Sequence, residues 1–236
     1  MSKARSGSRR SFFELLSSPV GRKVLTGVTG IVWVLFIIVH LIGNLGYFTP
    51  GDAYNLYSHF LLNTGPILII LEALLVITLL LHAYLGIMIY IGKRRARARG
   101  YAEYHTMGRP SLQSPSSRTM IFTGVVLLVF LVIHLWSFKF GPSIEQGYSV
   151  LIDGETVRDL KRLMTEKFSN PLYAFGYPAV MILLGFHLRH GIWSAFQSLG
   201  AMNARLTPLI YTLGTLLAVL LAAGFLMIPL WIYFTA

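Results

Sequence analysis

Four histidines lie deep inside four different hydrophobic segments: His40, His82, His134 and His187. An imidazole in lipid is costly unless it is partnered, so an ionisable side chain at membrane depth points to function. Imidazole is also the commonest metal ligand among side chains. One histidine on each of four helices predicts two bis-histidine metal centres. Haem b is the group that such centres hold in a helix bundle.

Small residues accompany these histidines. Gly86 and Gly191 follow His82 and His187 by four, and Gly43 follows His40 by three. Those offsets put a glycine on the ligand's own face, one turn away. A flat macrocycle needs the missing side chain there, although glycine also lets membrane helices approach closely. The other three histidines stand apart. His59 falls in a short loop, His105 in a polar linker, and His190 three residues after His187, where it is the rival ligand on that helix.

The elements that must position these residues follow from composition. Of 236 residues, 55% are hydrophobic and only 12% are charged, which fits a polytopic membrane protein. Cysteine is absent, so disulfides, thiolate zinc, covalently attached haem and iron–sulfur clusters held by this chain are excluded. The formal charge of +11 does not indicate nucleic acid, because most basic residues flank the apolar segments, where they set topology.

Five stretches reach the ~20 residues needed to span a bilayer. They lie near 24–47, 66–92, 119–140, 171–199 and 207–235, with the last two forming an antiparallel hairpin turned at Asn203–Arg205. The expected fold class is therefore all-α: an integral membrane bundle of five transmembrane helices, a single domain over 1–236. Lys3, Arg5, Arg9, Arg10, Arg22 and Lys23 precede the first span, and Lys93, Arg94, Arg95, Arg97, Arg99, Arg109 and Arg118 follow the second. Loop 48–65 has no Lys or Arg, and 141–170 balances its charges. The positive-inside rule then predicts a cytoplasmic N-terminus and an external C-terminus. A cleavable signal peptide is not expected, because the first apolar run is too long. Phe12, Phe13, Leu15 and Leu16 suggest a short interfacial helix. Val157, Leu160, Met164 and Phe168 suggest a surface helix ended by Ser169-Asn170-Pro171. Neither an internal repeat nor a low-complexity tract is expected, and the linker 96–118 reads as the loosest segment.

Depth sorts the histidines. At ~1.5 Å per residue, His40 and His134 lie roughly 22–24 Å from the cytoplasmic end, and His82 and His187 roughly 16–18 Å from it. The first and third spans would hold an outer centre, and the second and fourth an inner one.

The segments carrying these histidines read FIIVHLIGN, LHAYLGIMIYIGK, VIHLWSFK and FHLRHGIWSAFQSLG. They resemble the single-chain, dihaem cytochrome b subunits of succinate:quinone oxidoreductases, the b558 type, over nearly the whole chain. The resemblance implies two haems b, one on His82 and His187 and one on His40 and His134. It also implies a flavoprotein subunit carrying FAD and an iron–sulfur subunit on the cytoplasmic face. Electrons would pass from succinate through those subunits to a membrane quinone, with menaquinone preferred. The membrane would be a bacterial-type inner (plasma) membrane. The chain alone would not carry the succinate chemistry.

Further residues carry two readings each. Glu72 is either a proton relay near the outer tier or a carboxyl at the interface. Arg189 either pairs with a haem propionate, reaches toward the cytoplasm or pairs with Glu72. Ser18, Arg22 and Lys23 are either a quinone-binding group or topology anchors. Trp33, Trp136, Trp193 and Trp231 read as packing or belt residues. The rival functions are a fumarate reductase anchor, a dihaem cytochrome b of a hydrogenase or formate dehydrogenase, a non-redox structural anchor, and a transporter. A transporter favours broken helices and repeat symmetry.

Overall fold

The structure, a computed structural model, describes residues 18–95 and 119–236. The expected interfacial helix at 12–16, the linker 96–118 and His105 lie outside the described residues. Five helices are long and apolar enough to cross a membrane: α1 (Pro19–Leu45), α3 (Pro66–Arg95), α4 (Met120–His134, extended by a π turn over Leu135–Lys139), α6 (Pro171–Ser198) and α7 (Leu206–Thr235). They alternate in direction. One end of the bundle therefore gathers Lys23, Lys93, Arg94, Arg95 and Arg205, and the other gathers the connections 46–65 and 140–170.

Local chemistry sets the helix starts. Ser18 caps α1 by accepting from the Gly21 N–H at 2.9 Å, and Pro19 occupies the first turn, where its missing N–H costs nothing. The span thus begins five residues earlier than its hydropathy suggests. Asn170 and Pro171 repeat the device on α6. Between α6 and α7 the Asn203 side chain accepts from the N–H groups of Arg205 and Leu206, which makes the expected tight antiparallel hairpin.

Lipid offers no hydrophobic drive between helices, so packing rests on small residues that let backbones close up. A Cβ on Gly27 would lie 3.2 Å from the Ala195 Cα, and one on Gly185 3.1 Å from the Ala222 Cβ. Met181, Leu184, Leu188, Ala218 and Leu221 fill the α6–α7 seam. Ile69, Ile70, Val76, Ile77 and Leu80 on α3 are exposed, as a lipid-facing surface requires.

The end opposite the basic residues is covered by elements that hydropathy did not reveal. Helix α2 (Ala53–Asn63) occupies what was expected to be a loop. Strands β1 (Ser149–Ile152) and β2 (Glu155–Arg158) form an antiparallel hairpin, and α5 (Leu160–Phe168) follows. Val157, assigned from its spacing to the surface helix, instead sits in β2 opposite Val150. Two local features override the helical period. Asp153 and Gly154 both take positive φ (51° and 85°), the geometry of a tight hairpin turn. Asp159 then caps α5 by accepting from the Arg162 N–H. The rest of that expected helix, and its end at Ser169-Asn170, is as the periodicity predicts.

Polar contacts stitch this cover to the spans. The buried Asn55 donates to Asp159 Oδ1 at 3.0 Å and accepts from the Lys161 N–H at 2.9 Å. Tyr54 Oη donates to Asn44 Oδ1 on α1. Arg158 Nη2 donates to the carbonyls of Phe138, Gly141 and Pro142 at 2.7, 3.1 and 2.8 Å, clamping the hairpin to the end of α4. Hydrogen bonds from a charged donor contribute about 1.5–3 kcal/mol. We expect Arg158→Ala to lower the thermal midpoint of the detergent-solubilised protein and to expose the 141–170 segment to protease.

On the same cover, the Tyr148 hydroxyl donates to Glu166, and Arg162 Nε donates to the other carboxylate oxygen at 2.8 Å. The Tyr148 hydroxyl, and then Arg162, hold the Glu166 carboxyl below its ordinary range. The folded value is depressed, so this tether is present above the ordinary carboxylate pKa and is lost as pH falls through the lowered one. Protease sensitivity of α5 should therefore rise on acidification below pH ~4, and Glu166→Gln should remove that dependence.

Candidate metal centres

The outer pair is made by α1 and α4. The rings of His40 and His134 are 5.7 Å apart, centroid to centroid, and nearly perpendicular. Each stacks on a phenylalanine one turn earlier on its own helix: Phe36 on His40 at 5.3 Å and Phe130 on His134 at 5.8 Å. Phe138 (5.4 Å) and Tyr177 (6.2 Å) complete an aromatic wall around His134, and Phe168 of α5 closes it from the cover at 5.7 Å from Phe138. The Nδ1 of His134 is buried with no hydrogen-bond partner.

The inner pair is made by α3 and α6. The rings of His82 and His187 are 6.3 Å apart at 63°. Here both Nδ1 atoms are engaged. His82 Nδ1 lies 3.1 Å from the Thr26 carbonyl oxygen and 3.3 Å from Thr29 Oγ1. His187 Nδ1 lies 3.0 Å from Thr123 Oγ1. A carbonyl only accepts, so His82 Nδ1 carries the hydrogen. Thr123 Oγ1 spends its own hydrogen on the carbonyls of Thr119 and Met120, and Thr29 Oγ1 on those of Leu25 and Thr26. With its hydrogen on its own helix each hydroxyl offers a lone pair to its imidazole; this matches the Nδ1–H that the Thr26 carbonyl demands of His82, and at His187 it is the tautomer that leaves Nε2 free to ligate.

These distances suit a single metal between each pair. Imidazole–metal bonds of about 2 Å on either side, plus the ring radii, put two axial rings about 6 Å apart. No third His, Asp or Glu joins either pair among the described residues, so a metal held there would take two ligands from them. The remaining positions of such a metal would have to come from a bound group, which is the demand a planar tetrapyrrole meets. Beside the inner pair, a Cβ on Gly86 or Gly191 would meet nothing within 4 Å, which leaves room on the ligand's face. Gly43 does not serve that purpose: a Cβ there would lie 2.7 Å from the Tyr57 ring, so its missing side chain admits α2.

Other expected site residues sit apart from the pairs. His190 packs on Trp193 at 5.8 Å, and His59 on the cover contacts Asn63 and Glu155. Glu72 is bonded to Lys139 at the end of α4, with both side chains about two-fifths exposed. That overturns the pairing of Glu72 with Arg189. Arg189 instead lies over the Tyr211 ring at 5.4 Å and donates to its hydroxyl. Ser18 serves as a helix cap, Arg22 accepts from Thr26 Oγ1 through its carbonyl, and Lys23 is exposed on the first turn of α1. Trp136 and Trp231 are exposed, while Trp33 packs edge-on to Phe36.

Thr29 and Thr123 escaped the sequence reading, and so did the pattern that marks them. Residues 29–41 and 123–135 read TGIVWVLFIIVHL and TGVVLLVFLVIHL, identical at six of thirteen positions: Thr, Gly, Val, Phe, His and Leu. The expectation of no internal repeat is therefore corrected. The repeat is geometric too. Beside the threonine, Gly30 faces His82 and Gly124 faces His187, where a Cβ would stand 3.2 and 3.5 Å from the ring. The partner helices share a His-x-x-x-Gly-Ile signature at His82 and His187. Eleven residues of helix separate threonine from histidine in each copy, so the two tiers lie about 16 Å apart along the bundle, well beyond the roughly 6 Å that distance from the helix ends predicts.

No curated protein and no solved structure matches the chain significantly. The family described as succinate dehydrogenase/fumarate reductase transmembrane subunit matches over residues 93–222, more than half of the chain. That stretch holds His134, His187 and Thr123, and leaves His40 and His82 before it. With five membrane-spanning helices and over half its length matched, this chain belongs to the family of succinate dehydrogenase/fumarate reductase transmembrane subunits.

Proposed function

We propose that this chain is a dihaem cytochrome b anchor that passes electrons between an iron–sulfur subunit and a membrane quinone. The observation that carries the reading is the pairing of four histidines from four helices into two facing couples, with no third His, Asp or Glu beside either among the described residues. His82 and His187 hold one haem b, and His40 and His134 hold the other. Haem iron, when bound, takes up and releases one electron at a time.

The chain's own residues do the rest. Thr26, Thr29 and Thr123 orient the inner imidazoles, and Phe36, Phe130, Phe138 and Phe168 exclude water from the outer ones. Arg189, two residues after His187 on the same helix, is the cation that would face a propionate. Ser18, Arg22 and Lys23 at one end, and Glu72 with Lys139 at the other, are the polar groups that would meet a quinone or its protons.

The basic end is the cytoplasmic one on the positive-inside argument. The flavoprotein and iron–sulfur subunits would dock there, next to the inner tier, in a bacterial-type plasma membrane. Succinate oxidation with menaquinone as acceptor is our reading of the direction and the quinone, and it rests on the family resemblance. The whole chain, 1–236, acts as one domain. The test is a dithionite-reduced minus oxidised spectrum of the purified complex, with pyridine haemochrome quantitation per chain. Two haems b per chain are expected, and a colourless, fully assembled complex would reject the reading in favour of a purely structural anchor.

A further inference from the structure

We infer that Thr123 and Thr29 are positioning residues that set the redox potential of the inner centre, and of that centre alone. The inference rests on the haem reading above. Thr123 on α4 is 1% exposed and Thr29 on α1 is 5% exposed, so neither hydroxyl answers to solvent. Both can donate to carbonyls of their own helix and stand within hydrogen-bond distance of an Nδ1 on a neighbouring helix; a histidine that ligates through Nε2 carries its hydrogen on Nδ1 and donates it to that hydroxyl. Acceptance of the Nδ1 hydrogen makes an imidazole more basic and a stronger donor through Nε2. A stronger donor favours the ferric over the ferrous iron and lowers the midpoint.

The two threonines differ in weight. His187 has Thr123 Oγ1 as its acceptor, whereas His82 also has the Thr26 carbonyl at 3.1 Å. In the outer tier the Nδ1 of His134 is buried with no acceptor. The outer centre lacks this device on that ligand and serves as an internal reference. The repeat strengthens the assignment. Each copy places a Thr-Gly pair against the inner histidine of the next span, with glycine making room for the ring and threonine fixing its hydrogen.

The test is a potentiometric titration of the assembled complex, followed in the haem α band, for the native protein, Thr123→Val, Thr123→Ser and Thr29→Val. The inner component is identified as the one missing from His82→Ala. Thr123→Val should raise the inner midpoint, changing the ferric/ferrous ratio at fixed ambient potential by up to about tenfold, or ~59 mV for one electron. The outer midpoint should stay in place, and Thr123→Ser, which keeps the hydroxyl, should restore the native value. Thr29→Val should move the inner midpoint the same way by less. An inner midpoint unmoved in Thr123→Val, or both midpoints moved together, overturns the inference while two haems per chain leave the haem reading standing. A native complex without haem rejects the haem reading itself. If Thr123→Val does not assemble, Thr29→Val decides alone, because Thr26 keeps His82 oriented: a raised inner midpoint supports the inference and an unmoved one overturns it.

Discussion

His187→Ala should yield a complex with one haem b per chain instead of two, the inner component being lost and the outer retained. On the haem reading each pair gives two ligands, and among the described residues no third His, Asp or Glu stands nearby to replace one. Removing one imidazole would leave its partner as the only side chain of the couple to hold the group. Loss of even an outer-sphere partner lowers metal affinity by about 10–100-fold, and loss of a ligand should exceed that. His82→Ala should give the same spectrum. His40→Ala and His134→Ala should remove the other component, which is the signature of pairing across α1–α4 and α3–α6. His190→Ala and His59→Ala are the controls and should keep both haems, because His190 packs on Trp193 and His59 belongs to the cover. Loss of the inner haem in His190→Ala, with retention in His187→Ala, would reverse the assignment on α6.

Gly141→Ala should be the most damaging added methyl group among the described glycines. Its added Cβ would stand 2.2 Å from the Ser137 carbonyl oxygen and 3.0 Å from its carbon, and both of those are backbone atoms that cannot rotate away. The clash falls where the π turn over Leu135–Lys139 ends and the chain leaves α4. Phe140 N–H already closes that turn on the Leu135 carbonyl at 2.9 Å, and Arg158 pins the Gly141 carbonyl. Relief of the overlap must shift the π turn, and with it Phe138 against His134. A cost of about 2–4 kcal/mol is expected, in the range of strained backbone and overpacked cores. The measurable outcome is a lowered thermal midpoint together with a weakened or missing outer haem, while the inner component persists. Unchanged stability would mean that the exit from α4 is looser than this contact implies.

The spans and the histidine couples could be read from the chain because both depend on one-dimensional quantities. Hydropathy over ~20 residues marks a helix, and depth along it follows from 1.5 Å per residue. Those rules gave the five helices and grouped His40 with His134 and His82 with His187, the groups whose rings face each other. Ligation of haem by these couples is still to be measured. The cover was harder to read. Helix α2 is half polar and its apolar residues fill a cover, not a span, so the hydropathy of 48–65 says loop. The β-hairpin was signalled by Asp153-Gly154, but the helical spacing that runs on through Val157 masked it. Thr29 and Thr123 were invisible because a threonine in a membrane helix normally bonds only its own preceding turn. Their second contact exists only once neighbouring helices meet. The repeat that singles them out was legible at Thr-Gly and Phe-x-x-x-His, and the apolar residues between those fixed points obscured it.

The distribution of ligands over the helices has a consequence for biogenesis. The first two spans enter the bilayer with His40 and His82, and the next two with His134 and His187. These are one ring from each tier, never a complete couple. Each newly inserted pair of spans is thus a half-socket at two depths, and its threonine serves the tier that its own first-span histidine does not. A chain halted after α3 has nothing that grips a planar group from both sides. The couples arise at both levels together only when the two halves dock, so on the haem reading capture of the group would report that lateral assembly is complete.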